Sequence, residues 1–410
     1  MKIAIIGGGA AGMMAAATIN ENNHKAEVFL IEKNASLGKK VIISGGGRCN
    51  VTTGLTDIPT ILSKYPRGGK FLNSAMHQFS PQILQAWFVN HGVPLKCEAD
   101  MRVFPVSNNG KDVVKAFEKI FQKYKTNILF NHQVTKITKT ANGFTINFKT
   151  QKPLQVDKVI LTLGGQAYRQ TGSTGDGYSL AENLGHQTTE LAPSLSSLTS
   201  KEKWPTLIAG LSFTKTTFTT KTTKKYSFTG PFVFTHWGIS GPAVFALSSL
   251  IAFEKFDANK PLKISVDLLT DLKLEKIIAD LKKFSISNPN KLFKYALQQF
   301  IPLSLATIAV EQIGIDVSKK NNAISNKELN QTANWLKNIP LTIIDRRAGD
   351  EFVTAGGVDL TEVNPSTMES KICPGLYFAG EILNIDGFTG GFNLQASWAT
   401  GHLAGLNSFK

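Results

Sequence analysis

Short apolar runs alternate with stretches of helical spacing through roughly the first 190 residues of the chain. Residues 2–6 (KIAII) predict a strand buried on both faces, residues 10–22 are rich in Ala and Met and predict a helix, and residues 27–31 (EVFLI) predict a second strand. Further along the chain, the same spacing predicts helices near 81–90 and 112–123 and strands near 127–131, 133–138, 143–149 and 157–163. Strand, helix and strand in this order indicate βαβ units and a parallel sheet.

The pattern changes after Pro193. Residues 207–236 alternate with a period of two and are rich in Thr, Phe and Lys, which predicts a β-rich insert, either a small barrel or a sandwich. Residues 272–338 show helical spacing, and strand signals return from about Leu341. The first domain is therefore expected to be interrupted and then completed by the C-terminus. The predicted domains are 1–192 together with 342–410, a β-rich insert at 193–271 and a helical subdomain at 272–341.

The composition is that of a protein with a substantial buried core. Of 410 residues, 42% are hydrophobic and 18% charged, which excludes a disordered chain. No apolar run in the sequence is long enough to span a bilayer, and the glycines after residue 6 argue against a signal peptide. The three cysteines (Cys49, Cys97 and Cys373) are far apart, which favours a reducing, cytoplasmic compartment over a disulfide framework or a zinc site.

The formal net charge of +15 raises the question of an anionic partner. Lys greatly outnumbers Arg, and the densest basic tract is only KTTKK at 221–225. Charge dispersed in this way favours a solvated surface over a nucleic-acid site. A positive field also suits a cofactor or substrate that carries phosphates.

A glycine-rich turn, GGGAAG (7–12), follows the first predicted strand. In this G-x-G-x-x-G spacing, Gly7 allows the tight turn, Gly9 lets a pyrophosphate approach the backbone, and Gly12 lets the helix pack on the sheet. The phosphates would lie on the N–H groups at the positive end of the helix that starts near Ala10. Glu32 is the expected acid about 20 residues further on, placed to accept from the ribose hydroxyls of an adenosine. This context predicts a dinucleotide site but does not distinguish NAD from FAD.

A second glycine-rich stretch, SGGGRCN (44–50), follows Gly38-Lys39-Lys40. Its consecutive glycines provide a flexible loop with many backbone donors, which can wrap a pyrophosphate and reach a ring system. Arg48 is placed to form charge-assisted bonds to a phosphate or to a substrate anion.

A third stretch lies near the C-terminus, where GLYFAGE (375–381) and GFTGGFNLQ (387–395) precede a helix predicted over 396–406. Glu381 is placed to accept from ribityl hydroxyls. The helix N-terminus near Gly391–Asn393 is placed to stabilise the negative charge of a reduced flavin. The second and third stretches together favour FAD.

The sequence resembles the flavoprotein family that includes the bacterial BaiN-type 3-oxo-bile-acid reductases and the streptococcal aminoacetone oxidases. The resemblance covers essentially the whole chain and is carried by GGGAAG (7–12), GKKVIISGGGRCN (38–50), GSTGDGY (172–178), THWGISGPA (235–243), VTAGGVDLTEV (353–363) and GLYFAGEILNIDGFTGGFNLQ (375–395). It implies one tightly held FAD and an α/β fold. In that fold, a Rossmann-like FAD-binding domain of the glutathione-reductase type is interrupted by a β-barrel-like insert that carries a small helical domain.

The resemblance also implies further cofactor contacts. Val134 matches the position whose backbone meets the adenine, Gly164–Gly165 match the turn that approaches the AMP half, and Asp386 and Asn393–Leu394 match positions beside the flavin. Motifs and resemblance together predict FAD contacts at Gly7, Gly9, Ala10, Ala11, Gly12, Glu32, Lys33, Lys39, Lys40, Ser44, Gly45, Gly46, Arg48, Asn50, Val134, Gly164, Gly165, Gly380, Glu381, Asp386, Gly391, Asn393 and Leu394.

Catalytic residues are not assigned by the sequence, and no metal site is expected. Cys49 lies near the expected flavin, but a lone cysteine in a glycine-rich loop is more often packed than redox-active. His236 is either a proton donor or a histidine that fixes a turn, and the second interpretation is favoured. Arg102, Tyr168 and Arg169 are candidates for a substrate cleft, although surface or packing roles are commoner for such residues.

The predicted activity is that of an FAD-dependent oxidoreductase that transfers hydride between flavin N5 and a small organic substrate. Two directions stay open: ene or enone reduction with NAD(P)H as donor, and amine oxidation with oxygen as acceptor. GSTGDGY does not form a second complete G-x-G-x-x-G unit, so NAD(P)H would dock only transiently.

Two alternatives accompany this prediction. GLYFAGE is similar to the corresponding stretch of the fumarate reductase and succinate dehydrogenase flavoproteins, whose Arg and His set for a dicarboxylate cannot be placed in this chain. An alternative of a different class is an FAD-containing protein that binds or modifies RNA through its basic insert. The substrate and the oligomeric state are not determined by the sequence.

Overall fold

The structure, a computed structural model, describes residues 1–347 and 349–410. The chain forms two compact units, one of Met1–Ser194 with Gly349–Lys410 and the other of Leu195–Ala348. Ala348, which the predicted segment 342–410 contains, lies outside the described residues.

The strands are short and are numbered in chain order. They are β1 (Lys2–Ile6), β2 (Glu27–Ile31), β3 (Thr52–Thr53), β4 (Leu95–Cys97), β5 (Arg102–Pro105), β6 (Asn127–Leu129), β7 (Val134–Thr140), β8 (Gly143–Phe148), β9 (Leu154–Val156), β10 (Lys158–Leu161), β11 (Ala192–Ser194), β12 (Leu198–Ser200), β13 (Ser212–Lys221), β14 (Lys225–Thr235), β15 (Gly238–Ser240), β16 (Leu262–Asp267), β17 (Ile339–Arg346), β18 (Val353–Ala355) and β19 (Leu376–Phe378).

The α-helices are α1 (Ala10–Asn22), α2 (Lys39–Ile43), α3 (Ile58–Leu62), α4 (Asn73–Gln78), α5 (Pro81–Asn90), α6 (Gly110–Lys123), α7 (Asp176–Glu182), α8 (Pro242–Leu250), α9 (Leu274–Ser287), α10 (Lys294–Leu297), α11 (Leu303–Ile313), α12 (Asn326–Lys337) and α13 (Phe392–Ser408). Short 3-10 helices cover Arg169–Thr171, Trp204–Ile208, Asn321–Ala323 and Leu360–Glu362.

A parallel sheet with the strand order β19-β10-β1-β2-β6 lies in the first unit. All of its pairings are parallel. The central strand β1 is buried from Ile3 to Ile6, where the side chains are 0–1% exposed, as expected for a parallel strand covered on both faces. The predicted βαβ arrangement and parallel sheet are confirmed.

The C-terminal helix α13 packs closely against α1. A Cβ atom added at Gly401 would lie 2.4 Å from Ala11 O, and one added at Gly405 would lie 2.6 Å from Ala15 O. Glycine inside a helix costs about 1 kcal/mol relative to alanine, so these two positions exchange helix propensity for close backbone approach. This packing brings the end of the chain against the helix that follows the first glycine-rich turn.

Smaller antiparallel sheets complete the first unit, in the orders β3-β5-β4, β7-β8-β9 and β11-β18. In the last of these, Ala192 pairs with Ala355 and Ser194 with Val353. Residues from the two sides of the long insertion therefore meet in one sheet.

The second unit contains a closed barrel with the strand order β12-β15-β14-β13-β16-β17. Of the two folds predicted for the β-rich insert, the barrel is therefore the one that forms. Phe218, Phe232 and Phe234 are buried in its core, with the ring centroid of Phe232 5.0 Å from that of Phe218 and 4.9 Å from that of Phe234. Ile277 and Leu281 of α9 belong to the same buried cluster, so the helices and the barrel share one core.

The strand signal after Leu341 belongs to the barrel. Strand β17 covers Ile339–Arg346 and pairs with both β12 and β16. The first unit therefore resumes at Gly349 and not at residue 342, because an apolar run shows that a strand forms but not which sheet the strand joins. Among the described residues, no helix is both long and apolar enough to cross a membrane.

Candidate functional site

The three spaced glycines of the turn between β1 and α1 have different surroundings. Gly7 has a φ of +113°, and a Cβ there would lie 2.6 Å from Thr162 O. A Cβ at Gly12 would lie 1.9 Å from Gly7 O, whereas one at Gly9 would meet no heavy atom within 4 Å. The protein itself requires glycine at positions 7 and 12. Position 9 borders open space, as expected where a phosphate approaches the backbone.

The N-terminus of α1 is uncapped and has no negative charge in its first turn. Its N-cap, Gly9, offers no side-chain cap, and its first turn contains no acidic residue. The hydrogen bonds within the helix begin with Met13 N, which donates to Gly9 O at 2.9 Å. The N–H groups of Ala10 and Ala11 precede that bond and lie at the positive end of a 13-residue helix. This end of the helix fits a diphosphate.

Glu32 is held against the same turn. Its Oε2 accepts from Gly8 N at 2.8 Å, and its Oε1 accepts from the backbone N and the Nδ2 of Asn34 at 2.8 and 2.7 Å. The backbone N–H of His132 donates to Glu32 O at 3.0 Å, two residues before Val134 begins β7. The segment that leads into Val134 and β7 is therefore hydrogen-bonded to Glu32.

The lysines after the second strand have different partners. Lys33 Nζ donates to Thr174 Oγ1 at 2.6 Å and to Asp176 at 2.9 Å, both within GSTGDGY. Lys39 Nζ donates to the side chain of Asn34 at 3.1 Å. Lys33 therefore ties GSTGDGY to the end of β2.

Lys40, Gly165 and Glu381 converge although they are far apart in sequence. Lys40 Nζ lies 2.7 Å from Glu381 Oε2, and Thr354 N donates to Glu381 Oε1 at 2.9 Å. A Cβ added at Gly165 would lie 3.0 Å from Glu381 Oε1, and one added at Gly164 would lie 3.1 Å from Ser173 Oγ. The segments around residues 40, 165 and 381 therefore surround one carboxylate.

Tyr178 is not among the cofactor contacts predicted from the sequence. Its side chain is 5% exposed, and its hydroxyl has no hydrogen-bond partner within the described residues. Burial, and secondarily the negative charge of Glu381, raises the pKa of this phenol well above its usual value. An orphaned buried hydroxyl beside the predicted ribityl-binding carboxylate fits a polar ligand there. Its signal in the sequence was the tyrosine that ends GSTGDGY.

The loop that carries the second motif is built on left-handed backbone. Gly45 and Gly46 have φ values of +57° and +70°, and Ser44 Oγ caps the preceding helix by donating to Val41 O at 2.7 Å. The Asn50 amide, oriented by its neighbours, donates to Thr52 O at 3.0 Å and accepts from Gly391 N at 2.9 Å. This side chain links the second motif to the third.

Two residues of this loop, Arg48 and Cys49, interact with other parts of the protein. Arg48 lies 2.7 Å from Glu98 and stacks over the Phe104 ring at 3.8 Å. Cys49 is fully buried, and burial raises the pKa of its thiol to about 12. A thiol with that pKa is not a thiolate at neutral pH, which supports the packing interpretation of Cys49.

The C-terminal motif places a helix N-terminus at the site. Helix α13 begins at Phe392, four residues before the predicted start, with Gly391 as its N-cap in left-handed backbone. Asn393 clamps the preceding loop, because its Oδ1 accepts from Gly387 N at 2.8 Å and its Nδ2 donates to Gly387 O at 2.7 Å. A Cβ at Gly380 would lie 2.9 Å from Ala11 Cβ, and Leu394 packs partly buried against the core.

Asp386 is fully buried and tied to the protein. It forms a two-pronged ion pair with Arg67 and accepts from Ser194 Oγ at 2.8 Å. Arg67 lies outside every quoted motif, so no sequence signal pointed to it.

Three other candidates from the sequence, Arg102, Arg169 and His236, are either bonded to other side chains or exposed in the second unit. Arg102 pairs with Asp100 at 2.6 Å, and Arg169 donates to Gln166 at 2.9 Å. His236 is exposed in the turn between β14 and β15 of the second unit. No group of three or more metal-ligating side chains occurs within residues 1–347 and 349–410.

Tyr168 differs from these residues because it lies close to Lys40, which pairs with Glu381. Its ring is stacked with Phe352 at 5.9 Å, and Lys40 Nζ lies 5.7 Å from its centroid.

The residues present fit FAD. An open glycine at a helix N-terminus suits a diphosphate, the buried carboxylate of Glu32 suits a ribose, and an orphaned phenol beside Glu381 suits a further hydroxyl-bearing group. These features belong to separate chain segments that fold into the first unit.

Comparison with known proteins agrees with this assignment. The chain matches the family described as HI0933-like protein Rossmann domain over residues 1–407. It is 31% identical over 406 residues to a 3-dehydro-bile acid delta(4,6)-reductase of Clostridium scindens, with 98% of each chain covered. It is 28% identical over 410 residues to a ribosomal RNA dihydrouridine synthase of Haemophilus influenzae, covering 98% of this chain and 97% of that protein.

A solved structure supports the fold. The 3-ketosteroid-delta4-(5alpha)-dehydrogenase of Rhodococcus jostii RHA1 matches with a TM-score of 0.52 at 12% identity, covering 100% of this chain and 96% of that chain. The predicted fold class and the predicted family resemblance are confirmed. The chain belongs to the HI0933-like Rossmann-domain family, and it is a flavin-dependent oxidoreductase.

Proposed function

We propose that this oxidoreductase reduces a carbon–carbon double bond that is conjugated to a carbonyl group. The observation that carries the proposal is the nearly full-length match to a reductase named for a 3-dehydro bile acid and its delta(4,6) double bonds. Double bonds at those positions are conjugated with the oxidised carbon at position 3. Such a bond accepts hydride at its β carbon while the carbonyl oxygen gains negative charge.

The residues of the first unit would hold the cofactor by their separate chemistries. The N-terminus of α1 at Gly9 would bind the diphosphate, Glu32 the adenosine ribose, and Glu381 the ribityl chain. FAD, when bound, supplies the hydride for the reaction. The part that the protein plays is to position the cofactor and to set the charge around it.

The second helix N-terminus supports a reductive reaction. Helix α13 has 17 residues, no side-chain cap and no acid in its first turn, so its positive end is not neutralised locally. A positive helix end stabilises negative charge that develops near it. Asn393 holds the preceding loop through both of its bonds to Gly387, which keeps that end in place.

The electron donor we propose is NAD(P)H, which would dock transiently at the flavin site. GSTGDGY, which is not a complete G-x-G-x-x-G unit, opens only the short helix α7. Within it, Thr174 and Asp176 are already bonded to Lys33. These bonds support a structural role for that segment and leave the flavin site as the place of exchange.

The test is anaerobic stopped-flow kinetics on the purified holoprotein. NADH or NADPH is mixed with the enzyme, and loss of flavin absorbance reports reduction. The reduced enzyme is then mixed with androst-4-ene-3,17-dione or cyclohexenone, with cyclohexene as the control alkene that lacks a carbonyl. Rapid reoxidation by the enones but not by cyclohexene is expected. Reduction by aminoacetone and not by NAD(P)H, with reoxidation only by oxygen, would refute the proposal.

A second candidate substrate of the same chemical class is uridine in RNA. The C5–C6 double bond of uracil is conjugated with a carbonyl, and a relative that is 28% identical is named a ribosomal RNA dihydrouridine synthase. The lysines are dispersed along the sequence, but their division between the two units favours this candidate: the second unit contains 21 Lys and Arg against 11 Asp and Glu, and so carries +10 of the net +15. Charge concentrated in this way attracts a polyanion.

This candidate is tested by incubating the holoenzyme and NADPH with a transcript of ribosomal RNA and digesting the product to nucleosides. Mass spectrometry should detect uridine that has gained two hydrogens. Unmodified RNA under conditions in which cyclohexenone is reduced would exclude RNA as the substrate and leave the small-molecule reaction standing.

A further inference from the structure

Lysines line up across neighbouring strands on the outside of the barrel. Lys221, at the end of β13, is paired directly opposite Lys225, at the start of β14. On the other side of β13, Thr220 pairs with Ile264 of β16, so the next position of the register places Lys263 beside Lys221. All three lysines are exposed. They form a row that crosses three strands, which we call the lysine row.

Carboxylates do not neutralise the lysine row within the described part of the chain. Elsewhere in this unit, Lys215 of β13 and Lys337 of α12 pair with Asp271 and Asp267 respectively. By contrast, the described residues provide no ion pair for any member of the lysine row. Like charges directly opposite each other in a β-ladder repel. The row is therefore a local concentration of positive charge that an external anion would stabilise.

The turn beside the lysine row adds to the charge. Lys224 lies in the turn between β13 and β14, with its Nζ 5.7 Å from the centroid of the Tyr226 ring. One carboxylate also reaches this turn, because Glu254 Oε1 accepts from Thr222 Oγ1 at 2.8 Å. Four lysines therefore share one end of the barrel.

The outer face next to the lysine row consists of hydroxyl side chains. Thr219 on β13 faces Ser227 on β14, with their side-chain oxygens 3.2 Å apart, and pairs with Ser265 on β16. One step further along, Thr217 and Thr229 form a hydrogen bond of 2.7 Å. Hydroxyls donate to phosphate and sugar oxygens, and strand faces of small barrels are known platforms for oligonucleotides.

We infer that this face, defined by the lysine row, Lys224 and the adjoining hydroxyls, binds the phosphate backbone of RNA. A lipid surface is the other polyanion with this chemistry, but binding it stably requires apolar side chains that enter the interface. The outward positions next to the lysine row carry Thr and Ser instead. The inference takes RNA as the partner from the second candidate function, and it does not require that the chain reduce uridine.

The test is fluorescence anisotropy of a labelled single-stranded RNA titrated with the holoprotein over a range of salt concentrations. The variant Lys221→Gln/Lys225→Gln removes two charges from the lysine row. The control, Lys282→Gln/Lys283→Gln, removes two charges from exposed neighbouring lysines of α9 in the same unit. The slope of log K against log salt should fall by about 1.4 in the first variant, because each lost contact to a single strand accounts for about 0.7. The control should keep the wild-type slope.

Several outcomes would overturn the inference. These are equal losses of affinity in both double variants, wild-type binding by the Lys221→Gln/Lys225→Gln variant, and tighter binding to phosphatidylglycerol vesicles than to RNA. Unchanged thermal midpoints of both variants establish that they fold. Enone reduction by the same preparations is measured in parallel, so loss of RNA binding with intact reduction separates this inference from the proposed reaction.

Discussion

Replacing Gly9 with alanine tests the cofactor geometry without disturbing the fold. Gly9 has φ −83° and ψ −166°, a conformation that alanine adopts freely, and its added Cβ would meet no heavy atom within 4 Å. The free energy of unfolding should therefore stay within about 1 kcal/mol of wild type, because the lower entropy of the unfolded chain and the weaker N-cap preference of alanine act in opposite directions. The methyl group would instead occupy the space that a phosphate needs to reach the backbone N–H groups of α1.

The expected loss of FAD affinity follows from the bonds at stake. A hydrogen bond to a charged group contributes about 1.5–3 kcal/mol. Holding the diphosphate off one N–H group should therefore raise the Kd for FAD by about 10- to 150-fold. The assay is quenching of FAD fluorescence on titration with apoprotein, together with the flavin content of the protein as purified.

Two further variants separate binding from folding. Gly230→Ala makes the same change in the barrel, where the Cβ would lie 3.5 Å from Ala243 Cβ, an ordinary contact, and FAD affinity should not change. Gly12→Ala would place its Cβ 1.9 Å from Gly7 O, and it should lower the thermal midpoint of the apoprotein by overpacking. Wild-type FAD affinity in Gly9→Ala would refute the placement of the diphosphate. An unfolded Gly9→Ala apoprotein would refute the open geometry of the turn.

The remaining predictions concern packing, protonation and thiol chemistry. Gly401→Ala, whose Cβ would lie 2.4 Å from Ala11 O, should destabilise the protein by about 1–3 kcal/mol in urea unfolding, and an unchanged midpoint would contradict the close packing of α13 on α1. Burial lowers the pKa of His402 to about 4, so the unfolded state takes up a proton first as pH falls. Stability should be complete above pH 6.5 and fall by up to about 3 kcal/mol toward pH 4. His402→Gln should reduce that pH dependence, whereas identical pH profiles would show that this histidine does not cause it. Exposed Cys97 should react with Ellman's reagent in the native protein, whereas fully buried Cys49 should react only on unfolding, so equal rates would contradict its burial.

Much of the fold was predictable because its signals are local. The apolar run of β1, the glycine turn and α1 are contiguous, so strand, turn and helix follow from spacing alone. The period of two over residues 207–236 likewise predicted strands, and β13 and β14 form there. The start of α13 was less well defined in the sequence, because its N-cap is Gly391, which has no side chain to signal the start of a helix.

What the sequence alone determined is therefore the kind of each segment and the chemistry its residues offer: a glycine-rich turn that opens a helix, an acid at Glu32 at the end of the second strand, and a β-rich insert. Only the tertiary structure decided the partners, such as Lys40 with Glu381, Arg67 with Asp386, and Asn50 with Gly391. Each of these pairs is separated by more than 300 residues, and no local period encodes a contact over that distance. The partners meet because α13 packs on α1 and β19 joins the parallel sheet, so global packing and not local preference sets their geometry.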